Sequence, residues 1–347
     1  MSVLGTLKME RRYDECLPCR LPEFIADILL GLEGRCSVGF RRLAVYAGVE
    51  KSCRVASDML KELCGLEVSP NTLRDLCHEE ASKMERWIER SLEVQKEFIA
   101  APGNVEVTMD GTIVNTTEGA REVKVGLISK RKRGQGVPPE HWGNRNRQEL
   151  PDIETCIAFA AVEECGAFQK RINFWRRQLR LGSTSDISVL GDGAAWIWNI
   201  ASEELGKVRE CLDVYHGLEH VSDTGKVLYG EATEEYKQWQ EETTTEFLES
   251  GFEKIEKRLD CLDQKEWSDK AKESLRLLRG YLMNNRERLA QGRAIGSGQV
   301  EGACKNLIGK RLKQTWAKWL VPRLNRMATL CAIRYCDKWK KYWKQAK

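Results

Sequence analysis

The hydrophobic pattern changes period at Ala101-Pro102-Gly103-Asn104, and this change limits the possible folds more than any other feature of the chain. Upstream, residues 20–100 carry apolar positions at helical spacing. Residues 54–63 form an amphipathic run that ends at Gly65, and Ser69-Pro70 supplies a cap and a first-turn proline for a second helix through NTLRDLCHEEASKM. Helix, short turn, helix is the shape of a helix-turn-helix, with Asn71, Thr72 and Arg74 at the start of the second helix as candidate DNA contacts. Ordinary helical hairpins share that shape.

Downstream the period falls to two. VEVTM (105–109) alternates and stops at Asp110-Gly111, and EVKVGL (122–127) alternates again as its antiparallel neighbour. Residues 153–162 form a third, apolar strand, residues 169–181 a crossover helix, and ISVL (187–190) a fourth strand that halts at Asp192. A strand after a crossover helix runs parallel to its neighbour. Two strands are therefore expected to end side by side, each with an aspartate at its carboxyl end, where ligands of α/β sheets bind. From residue 217 to about 289 the chain has no strand signal. Tyr236, Trp239, Phe247, Phe252, Ile255 and Leu259 recur at helical spacing, as in an inserted helical unit with its own core. The fold class that follows is α/β, interrupted by an all-α insertion and preceded by an all-α region.

Charge is distributed unevenly. Residues 301–347 hold 13 Lys and Arg but only 2 Asp and Glu, whereas residues 1–300 hold 43 and 50. A polyanionic partner at the C-terminal end is implied. Two segments would grip phosphates: the loop containing Lys130, Arg131, Lys132 and Arg133, and the helix expected to carry Lys305, Lys310, Arg311 and Lys313. The terminal run DKWKKYWKQAK interleaves Trp339, Tyr342 and Trp343 with lysines and reads as a packing helix with solvated lysines or, less simply, as a base-stacking tail.

Glu301, between two glycines in QVEGAC, is the exception in this basic region. It shares its setting with Asp110 and Asp192, since each acid follows an apolar stretch and precedes a glycine. An isolated Asp-Gly is ordinarily a turn. Carboxylates gathered at buried strand ends raise one another's pKa, and a divalent cation between them removes that penalty. Mg²⁺ (or Mn²⁺) takes hard oxygen ligands and keeps several waters, so two or three carboxylates suffice. Two such ions about 3.5–4 Å apart can activate a nucleophile and stabilise a leaving oxygen at a phosphodiester. Within DVYH, His216 could position a phosphate or a water, with Asp213 orienting it. His216 and His220 share a helical face, but no third zinc ligand is evident.

Zinc is not expected at Cys16 and Cys19 either, because no second CxxC or CxxH completes the set of four ligands. The 13 scattered cysteines fit a reducing compartment, so the expected location is cytoplasmic and associated with the nucleoid. No apolar run is long enough to span a membrane (residues 24–32 are too few), and the N-terminus lacks the apolar core of a signal peptide.

The ordered set DGT at Asp110, GDGAAWIW at Asp192, DVYHGLEH at 213–220 and GSGQVEGACKNLIGKRLK at 296–313 resembles the bacterial insertion-sequence transposases of the ISKra lineage, relatives of the Mutator-like DDE transposases. The resemblance covers most of residues 40–335. It implies an RNase H-like catalytic domain with a helical insertion between the second Asp and the Glu, and Mg²⁺-dependent cleavage and strand transfer at transposon ends. The family triad falls on Asp110, Asp192 and Glu301, and its Asp/Cys-x-x-His motif on Asp213 and His216. The partner so implied is double-stranded DNA with terminal repeats, held by a homodimer on paired ends. The chain then divides into an N-terminal region (1–50), a zinc-knuckle remnant, and a helix-turn-helix-like region (51–100). A first catalytic part (101–216), the helical insertion (217–290), the closing Glu helix (291–335) and a basic tail (336–347) follow. The alternatives are a domesticated or truncated relative that binds DNA without cutting it, and a nuclease that hydrolyses without joining strands.

Overall fold

The computed structural model describes residues 36–132, 152–182, 186–250, 252–263, 265–289, 304–314 and 317–345, with short pieces before residue 36. Cys16, Cys19, most of residues 24–32, Arg133 and Glu301 lie outside the described residues.

Serines start the N-terminal helices. Ser37, Ser52, Ser69 and Ser91 accept backbone N–H bonds from Phe40, Val55, Thr72 and Val94, opening α1 (Val38–Glu50), α2 (Cys53–Cys64), α3 (Pro70–Arg90) and α4 (Leu92–Ala100). Gly65 closes α2 in the left-handed conformation at φ 64°. Two helices joined by a short turn, α2 and α3, thus stand where the sequence places them.

The chain then enters a five-stranded mixed sheet. Its strands are β1 (Asn104–Thr116), β2 (Gly119–Arg131), β3 (Ile153–Ala161), β4 (Ile187–Gly191) and β5 (Arg209–Leu212), in the spatial order β3-β2-β1-β4-β5. β1, β2 and β3 are antiparallel neighbours; β4 lies parallel to β1, and β5 parallel to β4. The crossover helix α5 (Cys165–Gln178) packs Phe168 against Phe159 of β3, their ring centroids 5.6 Å apart.

β1 does not stop at Asp110. Pairing with β2 continues to Thr116↔Gly119, so Asp110 lies mid-strand opposite Val125. What ends near Asp110 is the parallel pairing, whose last pair is Thr108↔Leu190. β5 has no counterpart among the expected strands: RECL is short, without a β-branched residue, and is recruited by its pairing with β4.

After β4, α6 (Ala195–Ile200) widens into a π-helical turn at Ala201–Leu205. α7 (Val214–Tyr229), α8 (Glu234–Ser250), α9 (Phe252–Asp263) and α10 (Asp269–Asn284) build the insertion. Its core contains Tyr236, Trp239, Phe247, Phe252, Ile255 and Leu259, all six of the expected positions. Residues Cys304–Gly309 form a second π-helical stretch, followed by the short α11 (Lys310–Leu312), then α12 (Val321–Tyr335) and α13 (Trp339–Gln345).

A single larger core joins the N-terminal helices, the sheet and the C-terminal helices. Phe40, Leu73, Met84, Val107, Met109, Leu127, Ile157, Met327 and Trp343 all belong to it. The terminal segment is consequently not a base-stacking tail. Trp339, Tyr342 and Trp343 are buried, and Lys338 is 3 % exposed, its ammonium bonded to Glu97 and Thr155. Aromatic rings at helical spacing found a hydrophobic seat while Lys340 and Lys344 stay exposed, as in the expected packing helix.

Candidate active site

Asp110 and Asp192 meet at the carboxyl end of the parallel pair. Asp192 is two residues past Leu190 and Asp110 two past its partner Thr108, so the strand register carries both acids to the same edge. Both are partly exposed. Burial pushes the Asp110 carboxyl above the usual carboxylate range, and the Asp192 charge pushes it further; bonds from Cys304 and the Gly111 N–H, and the His216 charge, act the other way. Asp110 therefore senses both Asp192 and His216.

The glycine after each acid has its own cause. Gly193 sits at φ 103°, a conformation needed to turn from β4 into α6, and its open side faces Tyr281 and Asn285. Gly111 remains in the strand, where a Cβ would fall 2.1 Å from a Glu122 carboxylate oxygen. Glu122 itself holds Lys124, a buried lysine whose ammonium lies 4.9 Å from the Trp196 ring centroid.

The insertion returns to this edge. Tyr281 of α10 donates its hydroxyl to the Asp192 carbonyl at 2.8 Å, and its ring centroid is 4.0 Å from that of His220. Burial raises the Tyr281 pKa, reinforced by the Asp192 and Asp213 charges, so the phenol stays a donor. Asn285, 2 % exposed, bonds the Tyr281 carbonyl. Neither residue has a local signal in the sequence; both act from a different element.

Asp213 is 5 % exposed and caps α7 by accepting the Tyr215 N–H at 2.9 Å, while its own N–H donates to the Gly191 carbonyl. His216 faces Glu219, Nδ1 to carboxylate 3.2 Å, while the Asp213 carboxylate accepts its bond from the α7 backbone. His220 stacks edge-on with His216 at 5.4 Å, and burial followed by the His216 charge lowers its pKa.

Cys304 closes the site from the C-terminal side. Its thiol donates to Asp110 Oδ2 at 3.0 Å, and burial with the adjacent carboxylate raises its pKa, keeping it protonated. This contact, too, is invisible in sequence.

Among the described residues no cluster of three or more His, Cys, Asp or Glu side chains is arranged to hold a metal ion. The pair Asp110 and Asp192 nevertheless suits a hard divalent cation in kind. The donors are carboxylate oxygens, and a cation would offset both the burial and the Asp192 charge that lift the Asp110 pKa.

The expected DNA contacts divide sharply. Lys305, Lys310 and Lys313 are exposed. Arg311 is not a phosphate clamp: it is 5 % exposed, donates Nε to the Gly48 carbonyl at 2.9 Å and stacks on Trp319. Lys305 lies in the π-helical stretch Cys304–Gly309, whereas Glu301, expected on the same helical face, lies outside the described residues. Lys130 is turned inward, its ammonium bonded to the Ile99 and Ala101 carbonyls at the end of α4, and burial lowers its pKa. Arg131 pairs with Glu106, and Lys132 with Glu154. Asn71 is exposed and Thr72 partly so; the Arg74 guanidinium is bonded to Asn71 and Asp75.

None of the described helices is long and apolar enough to cross a membrane, and none of the described cysteines forms a disulfide. The chain matches no protein-family model and no curated protein.

Proposed function

We propose that the protein is a DDE-type DNA transposase with an RNase H-like catalytic domain, cleaving and joining DNA at the ends of an insertion sequence. The observation that carries this reading is the pairing of Asp110 and Asp192 at one edge of a sheet of order β3-β2-β1-β4-β5. Three antiparallel strands followed by two parallel ones, with the first strand central, is the arrangement expected of an RNase H-like domain. The helical insertion between Asp192 and Glu301 agrees with the same family.

Glu301 is the proposed third carboxylate. Cys304 touches Asp110, and three residues of extended chain reach about 10 Å, so covalent length permits Glu301 to join the pair. Two Mg²⁺ or Mn²⁺ ions held by these acids would activate the attacking oxygen and stabilise the leaving one. The chain's own groups do the rest. His216, partly exposed beside the acids, orients the scissile phosphate or the attacking water. Tyr281 fixes the Asp192 backbone, and Lys305, Lys310 and Lys313 draw the DNA backbone towards the site.

The test supplies 3′-hydroxyl DNA ends carrying the terminal repeats that flank the gene, a target plasmid and Mg²⁺. Joined product supports the transposase. Hydrolysis without joining indicates a nuclease, and binding alone indicates a domesticated relative.

A further inference from the structure

The face of α3 turned towards α12 gathers cations around a histidine. His78 is 8 % exposed, and its Nδ1 is buried with no hydrogen-bond partner among the described residues. Arg74 lies one turn before it on α3, and α12, whose first two turns carry Arg323 and Arg326, packs along α3, with Thr329 and Ile333 sharing a small cavity with Glu85 and Ile88. All three arginine charges act on His78. Together with burial, the largest cause, they pull its pKa down to about 4, against the opposing charge of Asp75.

Two further features are costly as they stand. Neither α3 nor α12 has an acid in its first turn, and α12 begins at Leu320 with no side-chain cap. Arginines at a helix N-terminus face the positive end of the dipole. Arg323 and Arg326 are exposed, whereas Arg74 is held in place by Asn71 and Asp75. Asp75 pairs with one of the three guanidinium groups, and a bound anion with several acceptor oxygens would offset the other two and the positive end of α12.

We propose that Arg74, Arg323 and Arg326, gathered over His78 where α3 meets α12, form a phosphate-binding site for a nucleic-acid backbone. The phosphate chemistry follows from the cluster; assigning that phosphate to DNA rests on the transposase reading. The site would hold the duplex beside the first turn of α3, where Asn71 and Thr72 are placed.

The experiment follows the His78 imidazole resonance by NMR, assigned with His78→Gln, while inorganic phosphate and then a DNA duplex of arbitrary sequence are added. Both ligands are expected to shift the resonance and raise its titration midpoint. In Arg323→Gln/Arg326→Gln the ligand-induced change is lost, and the slope of log affinity for the duplex against log salt falls by about two. Both arginines are exposed, so the fold should survive. Lys83→Gln/Arg86→Gln, which removes equal charge elsewhere on α3, should leave the His78 response intact. Duplex binding without any His78 response, or a double variant that responds like wild type, overturns the site. A response to phosphate but not to duplex overturns its assignment to nucleic acid. None of these readouts needs cleavage, so a failure of the catalytic reading is seen separately.

Discussion

Residues 304–313 and 337–345 look alike in sequence, since both are lysine-rich and short of acid. In the structure they are placed differently. In the later segment Lys338 and Lys341 are committed to Glu97, and three aromatic rings lie in the core. In the earlier one Lys305, Lys310 and Lys313 stand exposed just after the thiol that touches Asp110. Charge density alone does not identify a nucleic-acid surface; what decides is whether each cation already has a partner inside the molecule.

The largest effect should come from the acids beside the earlier segment. Asp110→Asn or Asp192→Asn should reduce Mg²⁺-dependent cleavage at least about 10³-fold while DNA binding, measured by anisotropy, stays close to wild type. Undiminished cleavage in either variant would remove that residue from the site. Next in size, Trp343→Ala should destabilise the fold by about 3–5 kcal/mol in urea denaturation, because a large buried ring is removed. Were the variant instead to keep its stability and lose DNA affinity, the contrast between the two segments would be wrong.

Lys305, Lys310 and Lys313, changed together to Gln, should lower the salt slope of duplex binding by up to about 0.9 for each phosphate no longer neutralised, with stability within about 0.5 kcal/mol. Tyr281→Phe, which removes one bond to the Asp192 carbonyl, should cost about 0.5–1.5 kcal/mol of stability and leave weakened cleavage. The subtlest effect is that of pH. The folded-state pKa of Asp110 is raised, so its ionisation in the metal-free protein weakens folding as pH rises through that value, and Asp110→Asn should flatten this dependence. Cation binding needs the ionised form, so at subsaturating Mg²⁺ cleavage should fall off on the acid side at a higher pH than an unshifted carboxylate would give.

Much of this is legible in the sequence, and the remainder is hidden for definite reasons. Alternation reveals the strands around residues 105–109 and 122–127, and Ser-Pro at 69–70 marks the start of α3. Asp110-Gly111 reads locally as a turn, yet thirteen-residue pairing with β2 overrides that preference. β5 is too short to carry a pattern. Arg311 reads as one cation among several, but buried Leu307, Ile308 and Leu312 draw it into the core, where the Gly48 carbonyl satisfies it. The bonds of Tyr281 with Asp192 and of Cys304 with Asp110 span 89 and 194 positions, beyond any local signal.

What everything depends on is a shared ion site assembled from distant parts of the chain. Replacing Mg²⁺ by Fe²⁺ with ascorbate and peroxide cuts a polypeptide wherever the metal is held, and the fragments can be sized by mass spectrometry. Cuts near residues 110, 192 and 301, all suppressed by excess Mg²⁺, are the expected outcome. Scission that omits 301, or that ignores added Mg²⁺, would contradict it.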